Sequence, residues 1–384
     1  MKDSAAFAEV LLPSQDLRAD LDFFTEILGM RLDSIYPADD PVSASLSGHG
    51  LRITIQKNAD VSPGIIRIRT DDLERFTQGD PHLVAPNGTV VEVTALTENI
   101  ESNGPGPMEI HHEFVIRRLY DEAPWIVGRA DMHYRDLIPF RLGGAVIASH
   151  IRIPGGGPIP DQVHFHTVSF QLIFCYRGWV DVLYEDQGEM IHLHAGDCVT
   201  QPPGIRHRVC FASEDIEVIE IGVPAMHTTT IDHEMTLPTA EHAPDRQWQQ
   251  QKFVHHIAEK ADWQPFRLPG FICRETGVSE GTGGIANVQV ARYEKGNPPS
   301  STLNTDVHFT FITKGRMSLN ILNIDDNPNC SSYDLGRGDS FVLPPLMTAR
   351  YNRCSDDLEL LEVTVQGYGE MHKRFLNGDI SQRA

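Results

Sequence analysis

The sequence predicts a mainly β protein, with a small α+β domain first and two related all-β domains after it. Three observations predict this. Short runs with period-two alternation, or with β-branched and aromatic enrichment, recur throughout the chain between 31 glycines and 25 prolines. Helical periodicity is convincing in one place only, residues 16–29. Two long stretches of the chain repeat each other at a spacing of about 140 residues, which means duplicated domains, because solenoid units are about 20–50 residues.

The predicted strands come in order as LRITIQ (51–56), GIIRIRT (64–70), TVVEVT (89–94), AVIASHIRI (145–153), FQLIFCY (170–176), WVDVLYE (179–185), IEVIEIGV (216–223), ANVQVARY (286–293), FTFITKG (309–315) and LELLEVTV (358–365). The helix DLRADLDFFTEILG places Leu17, Leu21, Phe24, Ile27 and Leu28 on one face, and Gly29 suits its C-terminal stop. The Gly/Pro/Asn stretch 98–108 ends the first block. The polar stretch HTTTIDHEMTLPTAEHAPDRQWQQQ (227–251) reads as a connector between the next two. The resulting domains are 1–100, 101–240 and 241–384. Residues 125–158 line up with 266–299, and GDCVTQPPGIRH (196–207) with GDSFVLPPLMTA (338–349).

Composition narrows the function. The 384 residues allow two to four domains, and 40% apolar with 22% charged residues suits a soluble globular chain. A formal charge of −21 argues against nucleic acid and anionic membranes as partners, since both need clustered positive charge. No apolar run approaches a membrane span, and the N-terminus shows no secretory signal. Six cysteines without CxxC spacing read as free thiols in a reducing cytoplasm.

The chemistry concentrates in HFHTVSFQLIFCYRG (164–178) and GDCVTQPPGIRH (196–207). His164 and His166 stand two apart on a strand, so both rings point to one face. This resembles the two signature motifs of the cupin superfamily. The first is His-x-His, four residues, an acidic residue, six residues, Gly, read here as His164, His166, Gln171 and Gly178. The second is Gly, five residues, Pro-x-Gly, two residues, His, read as Gly196, Pro202, Gly204 and His207. Every spacing matches. Two residues depart: Gln171 replaces the usual Glu, and Phe211 the usual terminal Asn.

The resemblance implies two cupin barrels (double-stranded β-helices) and a metal held by His164, His166, Gln171 and His207. Three neutral imidazoles and an amide oxygen suit one divalent ion, Fe(II) first, with Zn, Mn or Ni as alternatives. They leave one or two coordination positions open for water, substrate or dioxygen. A barrel that kept its histidines without a metal is the bland alternative. The aromatics Phe165, Phe170, Phe174, Tyr176 and Trp179 flank the metal strand as core or as pocket wall. On the same template the last block has Ser301, Leu303, His308 and Ala349 at the four ligand positions. It is thus a degenerate, structural barrel, covering a face that a lone cupin would bury by dimerising.

The first block, through FAEVLLPSQDLRADLDFFTEILGMRLDSIY (7–36) and PNGTVVEV (86–93), resembles one module of the vicinal oxygen chelate fold of the glyoxalase and bleomycin-resistance superfamily. That resemblance aligns Glu9, Gln56 and Glu92 as metal positions, with a short second module over 64–95.

The expected function is a mononuclear cupin oxygenase, dioxygenase-like, acting on a small oxygenated or aromatic metabolite, with a homodimer allowed. A non-oxidative metal-dependent isomerase, lyase or hydrolase of a sugar or keto acid is one alternative, and a non-catalytic small-molecule-binding protein is another.

Overall fold

The computed structural model describes residues 7–37, 41–77, 82–96, 109–121, 125–322 and 331–369. The 98–108 boundary, Cys330 and the tail from residue 370 lie outside them. The described cysteines are free thiols, and no described helix is long and apolar enough to cross a membrane.

Residues 1–105 form one compact unit and 106–384 another. In the first, Asp16 caps the predicted helix by accepting from the backbone N–H groups of Arg18 and Ala19. The helix runs as α over Leu17–Asp22 and then widens to a π turn over Phe23–Ile27, with Leu28 N–H donating to Phe23 O. That winding breaks the 3.6-residue stripe. Leu17, Phe24 and Leu28 stay buried, whereas Ile27, predicted on the same face, turns out to solvent at 48% exposure. Two sheets of the same design flank it. Val10–Ser14 runs parallel to Leu51–Lys57 in a four-stranded sheet, and Ile65–Thr70 runs parallel to Val90–Ala95 in a three-stranded one. The second module is one strand shorter. Leu12, Phe24, Leu46 and Ile53 from the first pack with Ile68, Val91 and Val93 from the second in one core.

The second unit holds two barrels, each a pair of antiparallel sheets. The predicted strands lie where the alternation put them. In the first barrel Phe170–Arg177, Glu217–Val223 and Ile147–Arg152 are neighbours in one sheet. Trp179–Tyr184, His207–Ala212, His164–His166 and Thr229–Ile231 follow one another in the facing sheet. The second barrel repeats this with Val307–Lys314, Glu359–Val365 and Ala286–Tyr293 facing Arg316–Leu322, Thr348–Asn352 and Ser301–Thr302. Gly178 and Gly315 open the same turn in each copy with φ of 69° and 74°. A Cβ there would press within 2.3 Å of Ser213 Oγ and 2.5 Å of Ser355 Oγ, so the turn needs glycine.

The barrels share a core in which Phe170 and Phe174 of one pack with Phe309 and Phe311 of the other. They also trade edge strands. Val115–Arg117 pairs with Ser340–Val342 of the second barrel, and His255–His256 pairs with Cys198–Thr200 of the first. Arg135, 1% exposed, donates to Gly338 O at 2.8 Å across the joint. Its counterpart Arg274 lies against Gly196, the equivalent turn glycine of the first barrel.

Candidate metal centre

The antiparallel register sets His164 directly opposite His207, and the strand period turns His166 to the same interior face. Ring centroids are 4.2 Å apart for His164 and His207, and 5.1 Å for His166 with either. One ring nitrogen from each lies within 4.8 Å of the other two, as one cation would require.

Each ring is oriented through Nδ1. That atom donates to Gln162 O from His164 (2.7 Å) and to Ile205 O from His207 (3.1 Å), and in His166 it lies 2.9 Å from the Thr229 hydroxyl. A carbonyl can only accept, so in His164 and His207 the lone pair falls on Nε2, the arrangement metal-binding imidazoles need. Burial lowers the pKa of all three, and the neighbouring imidazoles push His166 and His207 well below the usual value. The cluster is thus neutral at pH 7, the form in which imidazole can bind a metal.

Gln171 sits on Phe170–Arg177, in the sheet that faces the histidine strands. Its Nε2 donates to Glu220 Oε1 at 2.6 Å, and its Oε1 is buried with no hydrogen-bond partner. The amide oxygen is therefore the atom this side chain has left for a cation. Glu220 faces Ile173 while Gln171 faces Gly222, so both side chains point into the barrel. Burial raises the carboxyl pKa of Glu220.

A cavity of about 400 Å³ opens on the histidines. Ile147, Ile151, Ile173, Val180, Val182 and Val218 line it, and Arg129, Tyr134, Glu220 and His227 give it polar points. Arg129 Nη2 lies 2.9 Å from His164 Nε2, and Nη1 pairs with Asp161, whose side chain is fully buried. Burial pushes the Tyr134 hydroxyl up to about 12. His227 is anchored through Nδ1 to Pro224 O, with its ring 5.5 Å from that of His166. A Cβ at Gly222 would approach this ring to 3.3 Å, so the glycine makes room for it.

None of these four residues is singled out by a sequence motif, and His227 lies in the stretch predicted as a connector. Two faint signals existed. IEVIEIGV and LELLEVTV both carry a glutamate at the fifth position, on an interior parity (Glu220, Glu362). Arg129 stands opposite Gly270 in the repeat alignment. The flanking aromatics do not line the cavity. Phe170 and Phe174 are core, Tyr176 packs on Phe311, Trp179 stacks on Phe211, and Phe165 lies under the Arg206 guanidinium.

The N-terminal positions do not form a second cluster. Glu9 accepts from Thr54 Oγ1 at 3.0 Å on an exposed surface, Gln56 is exposed, and Glu92 is paired with Arg67 at 2.6 Å in the other sheet. Among the described residues, the three histidines are the only group of three or more His, Cys, Asp or Glu side chains close enough to share an ion.

Residues 149–222 match the sequence profile of the cupin domain. Residues 6–119 match that of the Glyoxalase/Bleomycin resistance protein/Dioxygenase superfamily. Among solved structures, Bacillus subtilis oxalate decarboxylase, studied for its Mn(II) centres, is similar with a TM-score of 0.50 at 13% identity. The match covers 68% of this chain and 80% of that one. Two mutants of the same enzyme give the same values. At this identity the likeness is one of fold. No protein of curated function matches the sequence.

Proposed function

Since the chain is a bicupin preceded by a glyoxalase-type domain, we propose that it is a metal-dependent enzyme with one centre per chain, in the first barrel. His164, His166 and His207 would hold the ion, with Gln171 Oε1 as the fourth donor. The observation that carries this is the neutral, inward-facing histidine triad at the floor of a cavity large enough for a small metabolite. A divalent ion there supplies Lewis acidity, and iron would also supply the redox chemistry of an oxygenase. The leading reading is Fe(II) and a dioxygenase-like reaction on a small oxygenated or aromatic molecule. The isoleucine and valine wall favours a substrate with an apolar body and excludes water from it. Arg129 adds one positive charge beside the histidines.

Glu220 favours a second reading, a non-oxidative lyase or decarboxylase. Its carboxyl is buried, is held toward the protonated form and lines the same cavity, so it can keep a proton and deliver it to a carbanion-like product. The fold it shares with a Mn(II) decarboxylase is compatible with that chemistry but does not argue for it.

Metal analysis of protein purified without chelators, followed by turnover of a panel of hydroxy-aromatic and keto acids with and without dioxygen, tests both. Bound iron with stoichiometric dioxygen uptake supports the oxygenase. Anaerobic turnover with release of carbon dioxide supports the lyase. Protein that takes up no ion overturns the reading altogether.

A further inference from the structure

Arg129 is the only arginine or lysine that lines the cavity among the described residues, and the structure around it is built to hold it there. Asp161 has no exposed side-chain surface. It accepts from Arg129 Nη1, from Gln162 N–H at 2.8 Å and from Val209 N–H at 2.9 Å, so it is a fixed anchor. The backbone after Arg129 turns through two consecutive non-glycine residues of positive φ, Ala130 at 53° and Asp131 at 58°. Such residues are costly and persist where the surroundings impose them. A Cβ at Gly128, just before, would meet the Tyr134 ring at 2.6 Å, and that ring is part of the cavity wall.

The second nitrogen of the guanidinium carries the argument. Arg129 Nη2 points at His164 Nε2 from 2.9 Å. That lone pair is the one a cation on the triad would take, and it cannot serve both. Were a cation held by that lone pair, Nη2 would have no acceptor on His164, and its N–H groups would be free for a molecule in the cavity. A substrate carboxylate would supply the acceptor that Nη2 then needs, since the planar guanidinium matches that group.

We propose that Arg129 is the residue that selects the substrate's carboxylate, taking the acid group of a monocarboxylate whose apolar body lies along the isoleucine and valine wall. The inference rests on the metal reading given above and names the substrate class for that site.

The test uses the full-length chain loaded with metal, with benzoate as probe and benzamide as its neutral isostere, both followed by titration calorimetry beside metal affinity. In Arg129→Gln, benzoate affinity falls about ten- to a hundredfold. Benzamide affinity changes less than about twofold, and metal affinity rises because a competing cation is gone. These opposite directions separate the proposal from a structural role, in which metal and benzoate affinity would fall together. Arg129→Lys, which keeps a charge for Asp161, serves if the glutamine variant does not fold. It loses several-fold in benzoate affinity through the lost planar fork while holding metal at least as well as the parent. Wild-type protein that takes up metal but binds benzoate no better than benzamide overturns the proposal. So does an Arg129→Gln or Arg129→Lys variant with unchanged benzoate affinity. Wild-type protein that takes up no metal overturns the metal reading, and the proposal with it.

Discussion

The two barrels place a glutamate at the same point of the same strand and surround it with opposite interiors. In the first, Glu220 lies opposite Ile173 and receives a hydrogen bond from Gln171. In the second, Glu362 lies opposite Thr310 and is gripped by Arg267 and by His308 Nε2 at 3.0 Å. Both carboxyls are buried, and burial alone would raise both. The neutral amide leaves Glu220 raised, whereas His308 and Arg267 drive Glu362 down to about 2. The cavities follow suit. The first barrel keeps about 400 Å³ in front of three histidines; the second retains about 10 Å³ between Arg267, His308 and Tyr351. A barrel that binds must leave polar groups unsatisfied toward its interior. A barrel that only supports can close them on each other, and Arg267, His308 and Glu362 of the second do that.

The sharpest way to break this contrast is to remove one of the three histidines from the hollow barrel. His207→Ala takes metal from about one ion per chain to none detectable by atomic absorption. The fold loses less than about 2 kcal/mol, because among the described residues the ring's only hydrogen bond is to the Ile205 carbonyl. Two ions per chain in the parent protein would instead revive the N-terminal domain as a metal domain.

The filled barrel fails in a different way. Glu362→Gln removes the carboxylate that pairs with Arg267, whose side chain is 24% exposed, so stability falls by about 1–3 kcal/mol in urea unfolding with metal binding retained. The pH dependence follows from the sign of the shift. The folded pKa of about 2 lies below the ordinary 4.5, so the glutamate's stabilisation is complete above pH 4.5 and is lost as pH falls from 4.5 toward 2. The variant should show a flatter acid limb over that window.

How much of this was legible beforehand depends on how local the determinant is. His164, His166 and His207 could be read because the turn glycines and strand period fix their relative positions within short segments. The degeneracy of the second copy could be read the same way, from Ser301, Leu303 and Ala349. Arg129 and His227 could not, because each reaches the cavity through long-range packing that no spacing encodes. His227 gets there because Thr229–Ile231 adds a strand beside His164–His166, inside a stretch whose composition is that of a loop. The exchanged edge strands, two and three residues long, carry no periodicity at all. The π turn was invisible for a related reason: apolar spacing of three and four cannot announce a switch to five.

A smaller effect tests the amide itself. Gln171→Glu replaces the donor to Glu220 with a second buried carboxylate, at a cost of about 1–3 kcal/mol without metal. Exchanging the pair, Gln171→Glu with Glu220→Gln, restores the hydrogen bond with the carboxyl group moved one strand over and recovers most of that loss. If residue 171 is a ligand, the exchanged protein binds metal more tightly than the parent. Unchanged metal affinity would mean that Gln171 serves only to hold Glu220.

The smallest predicted effect concerns the strand that sets the two barrels apart. Among the described residues, the second barrel has no counterpart of Thr229–Ile231 beside Ser301–Thr302. In the first barrel that strand gives His166 the hydroxyl of Thr229, 2.9 Å from Nδ1. Valine has nearly the same shape as threonine, and Thr229 is exposed, so Thr229→Val should alter stability by no more than about 0.5 kcal/mol. It removes the partner that fixes the orientation of His166, and losses of that kind weaken metal binding by about ten- to a hundredfold. The lower end is expected here, because strand pairing still positions the His166 backbone. Competition titration against a chromophoric chelator reads the change. An affinity equal to that of the parent would show that backbone register alone orients His166, and that the added strand serves the cavity through His227.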